Sequence, residues 1–191
     1  MKILVVGDGH SAIHEVAVEV AFKRLGHKVE AFFWHNYFQS SNSILRLSLK
    51  VQNKFLIGRA IKKLNQDLIE KALKHDPNLI FIYRGTHVTA RTLRKLKSAN
   101  PDCEIYGYNN DDPFAKGHPP WLWRHFMHSI PLYDMVFAYR KHNIIEYINF
   151  GAKKCELLRS WFVPEVNRTV LLSDEDRSCY ECDVVFIGHY E

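Results

Sequence analysis

Lys2-Ile3-Leu4-Val5-Val6-Gly7-Asp8-Gly9-His10 opens the chain, and its reading decides the fold. Ile3 to Val6 is a short β-branched apolar run, which fits a strand buried on both faces. It stops abruptly at glycine and polar residues. From Ser11 to Leu25, the residues Ile13, Val16, Ala17, Val20, Ala21 and Leu25 recur at helical spacing, with Ser11 placed as N-cap and Gly26 as the residue after the C-cap. Lys28 to Phe33 alternates into a second strand. Strand, helix and strand within about thirty residues is the signature of a parallel βαβ unit.

The same alternation continues. A helical stretch runs from Ile44 to Lys74, with Gly58 as a point of division and Ile57, Ile61, Leu64, Leu68 and Ala72 as its core face. Asp76-Pro77 stops it, because the residue before proline is driven out of the helical region. Strands are expected over 78–83, 103–108, 134–138 and, shortest, 154–158. Helices are expected over 88–99, from Pro119-Pro120 to Ser129, and over 141–150, closed by Gly151. Residues 1–165 therefore predict a Rossmann-like α/β domain, an open and mainly parallel sheet with helices on both faces. Residues 166–181 are polar and irregular and read as a linker. Cys182 to Gly188 reads as a further buried strand, so 182–191 is expected to be the first strand of a truncated second domain.

Composition narrows the function classes. The chain has 191 residues, is 47% hydrophobic and 25% charged, and matches an ordinary globular protein. Its apolar runs are too short for a transmembrane helix, and it starts without a signal-peptide pattern. A cytoplasmic location is the default, with the inner face of the membrane as an alternative. Cys103, Cys155, Cys179 and Cys182 are expected as free thiols there. A net charge of +5 favours anionic partners. The basic residues are scattered rather than striped, so no nucleic-acid partner is expected.

Two polar loops follow apolar runs: Gly7-Asp8-Gly9-His10 and Asn109-Asn110-Asp111-Asp112-Pro113. In open α/β sheets ligands bind at the carboxyl ends of the strands, so both loops point to a small-molecule site. The first departs from the dinucleotide fingerprint because position 12 is alanine, which argues against NAD. Tyr83-Arg84-Gly85-Thr86-His87 ends the third strand. Arg84 could grip a phosphate or carboxylate, while Thr86 could simply cap the next helix. Trp34-His35-Asn36-Tyr37 could stack on a sugar or cover the core edge. Glu15 reads as a first-turn or surface charge. Adjacent Asp111 and Asp112 point in different directions in an extended loop, and no metal site is expected there. Nor do His118, His125 and His128 show the partners that zinc needs. Cys179-Tyr180-Glu181-Cys182 lacks a second pair and reads as linker. Arg46, Lys50, Lys54, Arg59, Lys62 and Lys63 lie among Leu45, Leu47, Leu49, Phe55, Leu56 and Ile57. That basic amphipathic stretch suits either an anionic membrane surface or, in the preferred reading, a solvated helix face over a core.

These residues resemble the CgeB-like (spore-maturation-protein type) glycosyltransferases. The resemblance rests on Gly7-Asp8-Gly9-His10, on Tyr108-Asn109-Asn110-Asp111-Asp112-Pro113-Phe114, on Asp134-Met135-Val136-Phe137-Ala138 and on Asp183-Val184-Val185-Phe186-Ile187-Gly188. It implies the GT-B architecture, with this chain as the acceptor-side half and the donor-binding half in a missing C-terminal domain. It implies transfer of a sugar from a nucleotide-sugar donor to the hydroxyl of a glycan or other acceptor. The nucleotide-sugar enters as substrate, no separate cofactor is expected, and this half alone is expected to be inactive. Direct displacement needs a base on the acceptor hydroxyl, for which His10, His14 and Asp111 are the candidates. Gly7, Asp8, Gly9, Arg84, His87, Asn110 and Asp112 are the candidate substrate contacts. The alternative is a non-catalytic Rossmann-like domain that binds a nucleotide or phosphorylated ligand through the same loops.

Overall fold

Six parallel strands form one sheet in the computed structural model, which describes residues 1–185. They are β1 (Lys2–Gly7), β2 (Lys28–Phe33), β3 (Leu79–Tyr83), β4 (Glu104–Asn109), β5 (Met135–Ala138) and β6 (Cys155–Leu157), in the spatial order β2-β1-β3-β4-β5-β6. Val6 of β1 is paired with Phe32 on one side and Ile82 on the other. Parallel neighbours need crossovers, and helices supply them. These are α1 (Glu15–Arg24), then α2 (Ser43–Phe55) and α3 (Arg59–His75) in tandem, α4 (Ala90–Ala99), α5 (Arg124–Ser129) and α6 (Lys141–Asn149). The fold is the expected Rossmann-like α/β sheet with helices on both faces.

Alternate side chains of each strand go to opposite faces. Leu4, Val6, Ile80 and Ile82 join the larger core with Ile61, Leu64 and Leu68 of α3, Leu93 and Leu96 of α4, Phe126 of α5 and Tyr147 of α6. Ile3, Val5 and Leu79 face the other way, where Val18 and Phe22 of α1 pack. Both faces of β1 are thus shielded from water, which is why its run is apolar without alternation.

Helix ends follow local chemistry, with some departures from expectation. Gly26 has φ +81°, and the bonds His27 N–H to Phe22 O and Gly26 N–H to Lys23 O close α1 as a Schellman motif. Its start lies at Glu15 rather than Ser11, and Ala12 to His14 form a turn. The long helical stretch is split where Leu56 and Gly58 both take left-handed conformations, and Gln52 Oε1 accepts the Ala60 N–H at 2.8 Å. Ile57 falls in that break and is half exposed instead of lying on the core face. Thr89, not Thr86, caps α4. Pro119 to Trp123 form turns, so the helix expected from there is confined to α5.

Met1–Trp161 form one compact unit, and the chain from Phe162 onward forms a second. The segment read as an irregular linker contains a short helix, α7 (Asp174–Tyr180). Ser173 caps it by accepting the Asp176 N–H, and Asp174, Glu175 and Asp176 sit where the helix dipole favours negative charge. Cys182 to Val185 have no regular structure, and the rest of the expected strand over 182–191 lies outside the described residues. Cys179 and Cys182 are free and exposed. Among the described residues no helix is long and apolar enough to cross a membrane.

Candidate functional site

The strand order places the site. From β1 the chain steps outward to β2, then returns to β3 on the opposite side of β1. Loops leaving β1 and β3 therefore diverge, which opens a crevice at the carboxyl ends of the strands. A cleft of about 610 Å³ lies there. Asp8, His10 and His14 line it from the β1 side, and Arg84, Thr86 and His87 from the β3 side. Lys50, Asn53 and Lys54 of α2 form part of its rim.

On the β1 side, Asp8 lies between two imidazoles. Its Oδ2 is in close contact with His10 Nδ1, and its Oδ1 is 3.9 Å from His35 Nδ1. The His10 and His35 rings stack at 6.1 Å. A carboxylate on Nδ1 fixes the imidazole tautomer and directs the Nε2 lone pair outward, the arrangement that a general base needs. His14 stands just before α1 and stacks on Tyr83 at 5.5 Å. Burial pushes the Tyr83 hydroxyl well above its ordinary range, so it stays protonated at neutral pH.

Gly9 shapes this loop. Its φ is +84°, and a Cβ there would stand 2.4 Å from Phe33 Cβ. Its N–H donates to Glu15 Oε1. Glu15 is 1% exposed, so it is neither a surface charge nor free for chemistry. A buried carboxylate needs donors; here the loop amide supplies one, and the place of Glu15 in the first turn of α1 sets the charge at the positive end of the helix dipole.

On the β3 side, Arg84 adopts φ +62°, which is uncommon for a residue with a side chain. Its N–H donates to Tyr108 O at 2.7 Å, its Nη2 meets Asp111 Oδ2 at 2.7 Å, and its guanidinium lies 5.5 Å from the Trp123 ring. Arg84 thereby ties the β3 loop to the β4 loop. Asp111 is held in this ion pair and does not line the cleft, whereas His10 does. His87 packs between Trp34 and Phe38 with ring centroids 5.0 and 5.2 Å away. Its Nδ1 bonds Thr86 Oγ1 at 2.9 Å and its Nε2 bonds Asn53 Oδ1 at 2.7 Å. Burial, aided by His125 and Arg84, depresses its pKa to about 3, so it is a neutral wall rather than a cationic anion grip.

The β4 loop turns elsewhere. Asn109 Oδ1 accepts the Asp111 N–H and Asp112 Oδ1 accepts the Phe114 N–H, two successive side-chain-to-backbone turns. Asp112 is bound to α6 through His142 Nε2 at 3.0 Å and Asn143 Nδ2 at 2.8 Å. Burial pushes its carboxyl up, but these donors together outweigh it and the pKa is lowered. Ligand atoms of Asp112, His142 and Glu146 lie within 4.8 Å of one another, a nitrogen and two carboxylates of the kind that hold a divalent cation. None of the three lines the cleft, and neither does Asn110. His125 and His128 bond separate backbone carbonyls, those of Leu56 and Arg124, and do not converge.

The cleft gathers Asp8, His10, His14, Arg84 and His87 of the sequence candidates, beside the turn made by Gly7 and Gly9. It also holds Lys50, Asn53, Lys54 and Trp34, of which Asn53 carries no sequence signal at all. In sequence Trp34 reads as a residue that could stack on a sugar or cover the core edge; it is 2% exposed, packs on His87 and belongs to the core. No family model matches the chain, and no curated protein gives a significant match to it.

Proposed function

We propose that this chain forms the acceptor side of a nucleotide-sugar-dependent glycosyltransferase of the GT-B, CgeB-like kind. The observation that carries the reading is the Asp8–His10 pair on the wall of a cleft at the β1/β3 switch point. In the proposed reaction an acceptor hydroxyl enters the cleft and hydrogen-bonds to His10 Nε2. His10 takes the hydroxyl proton as the acceptor oxygen bonds to the anomeric carbon of the donor. The bond from that carbon to the nucleotide diphosphate breaks, and its electron pair leaves with the phosphate. Asp8 stabilises the imidazolium that results, because its carboxylate faces the protonated Nδ1.

Lys50 and Lys54 on the rim, with no acid beside them on α2, favour an acceptor or donor group bearing negative charge. Trp121, which also lines the cleft, offers an aromatic face to a sugar ring. The test uses the whole natural polypeptide with UDP-, GDP-, ADP- and dTDP-sugars, and reads nucleotide release and sugar incorporation into a hydroxylated acceptor. Incorporation from one donor class supports the reading. Tight nucleotide binding with no incorporation from any donor would favour the non-catalytic binding domain instead.

A further inference from the structure

Helix α2 is strongly amphipathic in sequence, yet none of its thirteen residues is buried. An amphipathic helix of a globular fold normally turns its apolar stripe to the core. Here Leu49, Gln52 and Phe55 provide the partly covered side. Ile44, Leu47 and Val51 point away from the protein, with 83%, 65% and 46% of their surfaces exposed. Their spacing of three and four residues makes them one continuous stripe. Lys50 and Lys54 follow Leu47 by three and seven residues and run along one edge of it. Ile57, half exposed in the break before α3, extends the apolar surface.

The charge of the sequence around α2 is one-sided, although Lys63 pairs with Asp67 at the end of the interval. Between Glu30 and Asp67 there is no aspartate or glutamate, while Arg46, Lys50, Lys54, Arg59, Lys62 and Lys63 all fall in that interval. We infer that α2 is an interfacial anchor that lies in the plane of an anionic membrane surface, with Ile44, Leu47 and Val51 in the acyl boundary and the lysines and arginines at the headgroups. A helix of thirteen residues is about 20 Å long, enough to lie along the interface and too short to span it. A protein partner that covered the stripe would need matching acids around it. An anionic leaflet supplies that charge along the whole helix. Lys50 and Lys54 belong to both the anchor and the cleft rim, so docking would bring the cleft mouth to the headgroup layer.

The inference does not depend on sugar transfer, and its test needs no turnover. The whole natural polypeptide is floated with vesicles of phosphatidylcholine alone, and of phosphatidylcholine with about one third phosphatidylglycerol. Binding to the anionic vesicles that weakens with added salt, and little binding to the neutral ones, is the expected result. Leu47→Glu with Val51→Glu should lower the partition coefficient roughly tenfold or more. Both side chains are exposed, so circular dichroism should be unchanged. Arg46→Glu, a single exposed change outside the cleft, should lower it by about fivefold or more on its own. Failure to bind anionic vesicles, or equal binding to both compositions, would overturn the inference. So would a Leu47- and Val51-dependent dimer without vesicle binding, which would make the stripe a contact between copies of this chain.

Discussion

Lowering the pH should unfold this protein partly through one ring, that of His87. The imidazole lies between Trp34 and Phe38, and both nitrogens are already used by Thr86 and Asn53. Burial holds its pKa at about 3 against an ordinary 6.5. Between these values the unfolded chain binds a proton at this position and the folded chain does not. The stability that His87 contributes is therefore complete above the ordinary histidine range and is lost progressively as the pH falls below it. Each pH unit in that window costs up to about 1.4 kcal/mol, so going from about pH 7.5 to about pH 5 removes about 2 kcal/mol. His87→Gln cannot titrate but retains an amide that can donate to Asn53. Urea unfolding of both proteins at both pH values isolates the effect from the other histidines. The variant should lose about 2 kcal/mol less than the wild type over the interval. Equal losses in the two proteins would refute the claim that His87 is held neutral by its surroundings.

Two further outcomes follow from the same structure. Gly9→Ala combines a left-handed backbone with a Cβ only 2.4 Å from Phe33, and should destabilise the fold by about 3 kcal/mol; a melting temperature within about 2 °C of wild type would contradict the geometry. Asp134 accepts Lys97 and Lys153 at 2.8 Å each and the Ile105 N–H at 3.0 Å, and although burial pushes its carboxyl up, these partners outweigh it and lower the pKa. Its contribution is present above the ordinary carboxylate range and lost as the pH falls through its folded value. Asp134→Asn should therefore cost about 1–3 kcal/mol in denaturant titrations near neutral pH and less near about pH 3. An equal cost at both would show that charge is not what Asp134 supplies.

The central strands were legible because burial on both faces leaves a local mark, the short apolar runs that became β1 and β3. Turn chemistry was legible for the same reason: Gly26 and Asp76-Pro77 act within a few residues of themselves. What escaped depends on neighbours far along the chain. Ser11 has the right chemistry for a cap, but α1 starts at Glu15, which is buried and bonded to the Gly9 amide. Asp111 and Asp112 are adjacent and alike in sequence. One is taken by Arg84 and the other by α6, a distinction that only the β3–β4 and β4–β5 pairings create. The cleft itself lies at a reversal of strand order, which no single segment encodes. The amphipathy of α2 was plain, but its period does not say whether another element will cover the apolar stripe.

The measurement that bears most directly on the central claim is kcat of His10→Ala, with and without added imidazole, in the whole natural polypeptide with its cognate donor and acceptor. If His10 is the base oriented by Asp8, kcat should fall by about 10²–10⁴-fold, and imidazole diffusing into the vacated cleft should restore part of it. A kcat within about threefold of wild type, unchanged by imidazole, would contradict the assignment of the β1 loop as the source of the base.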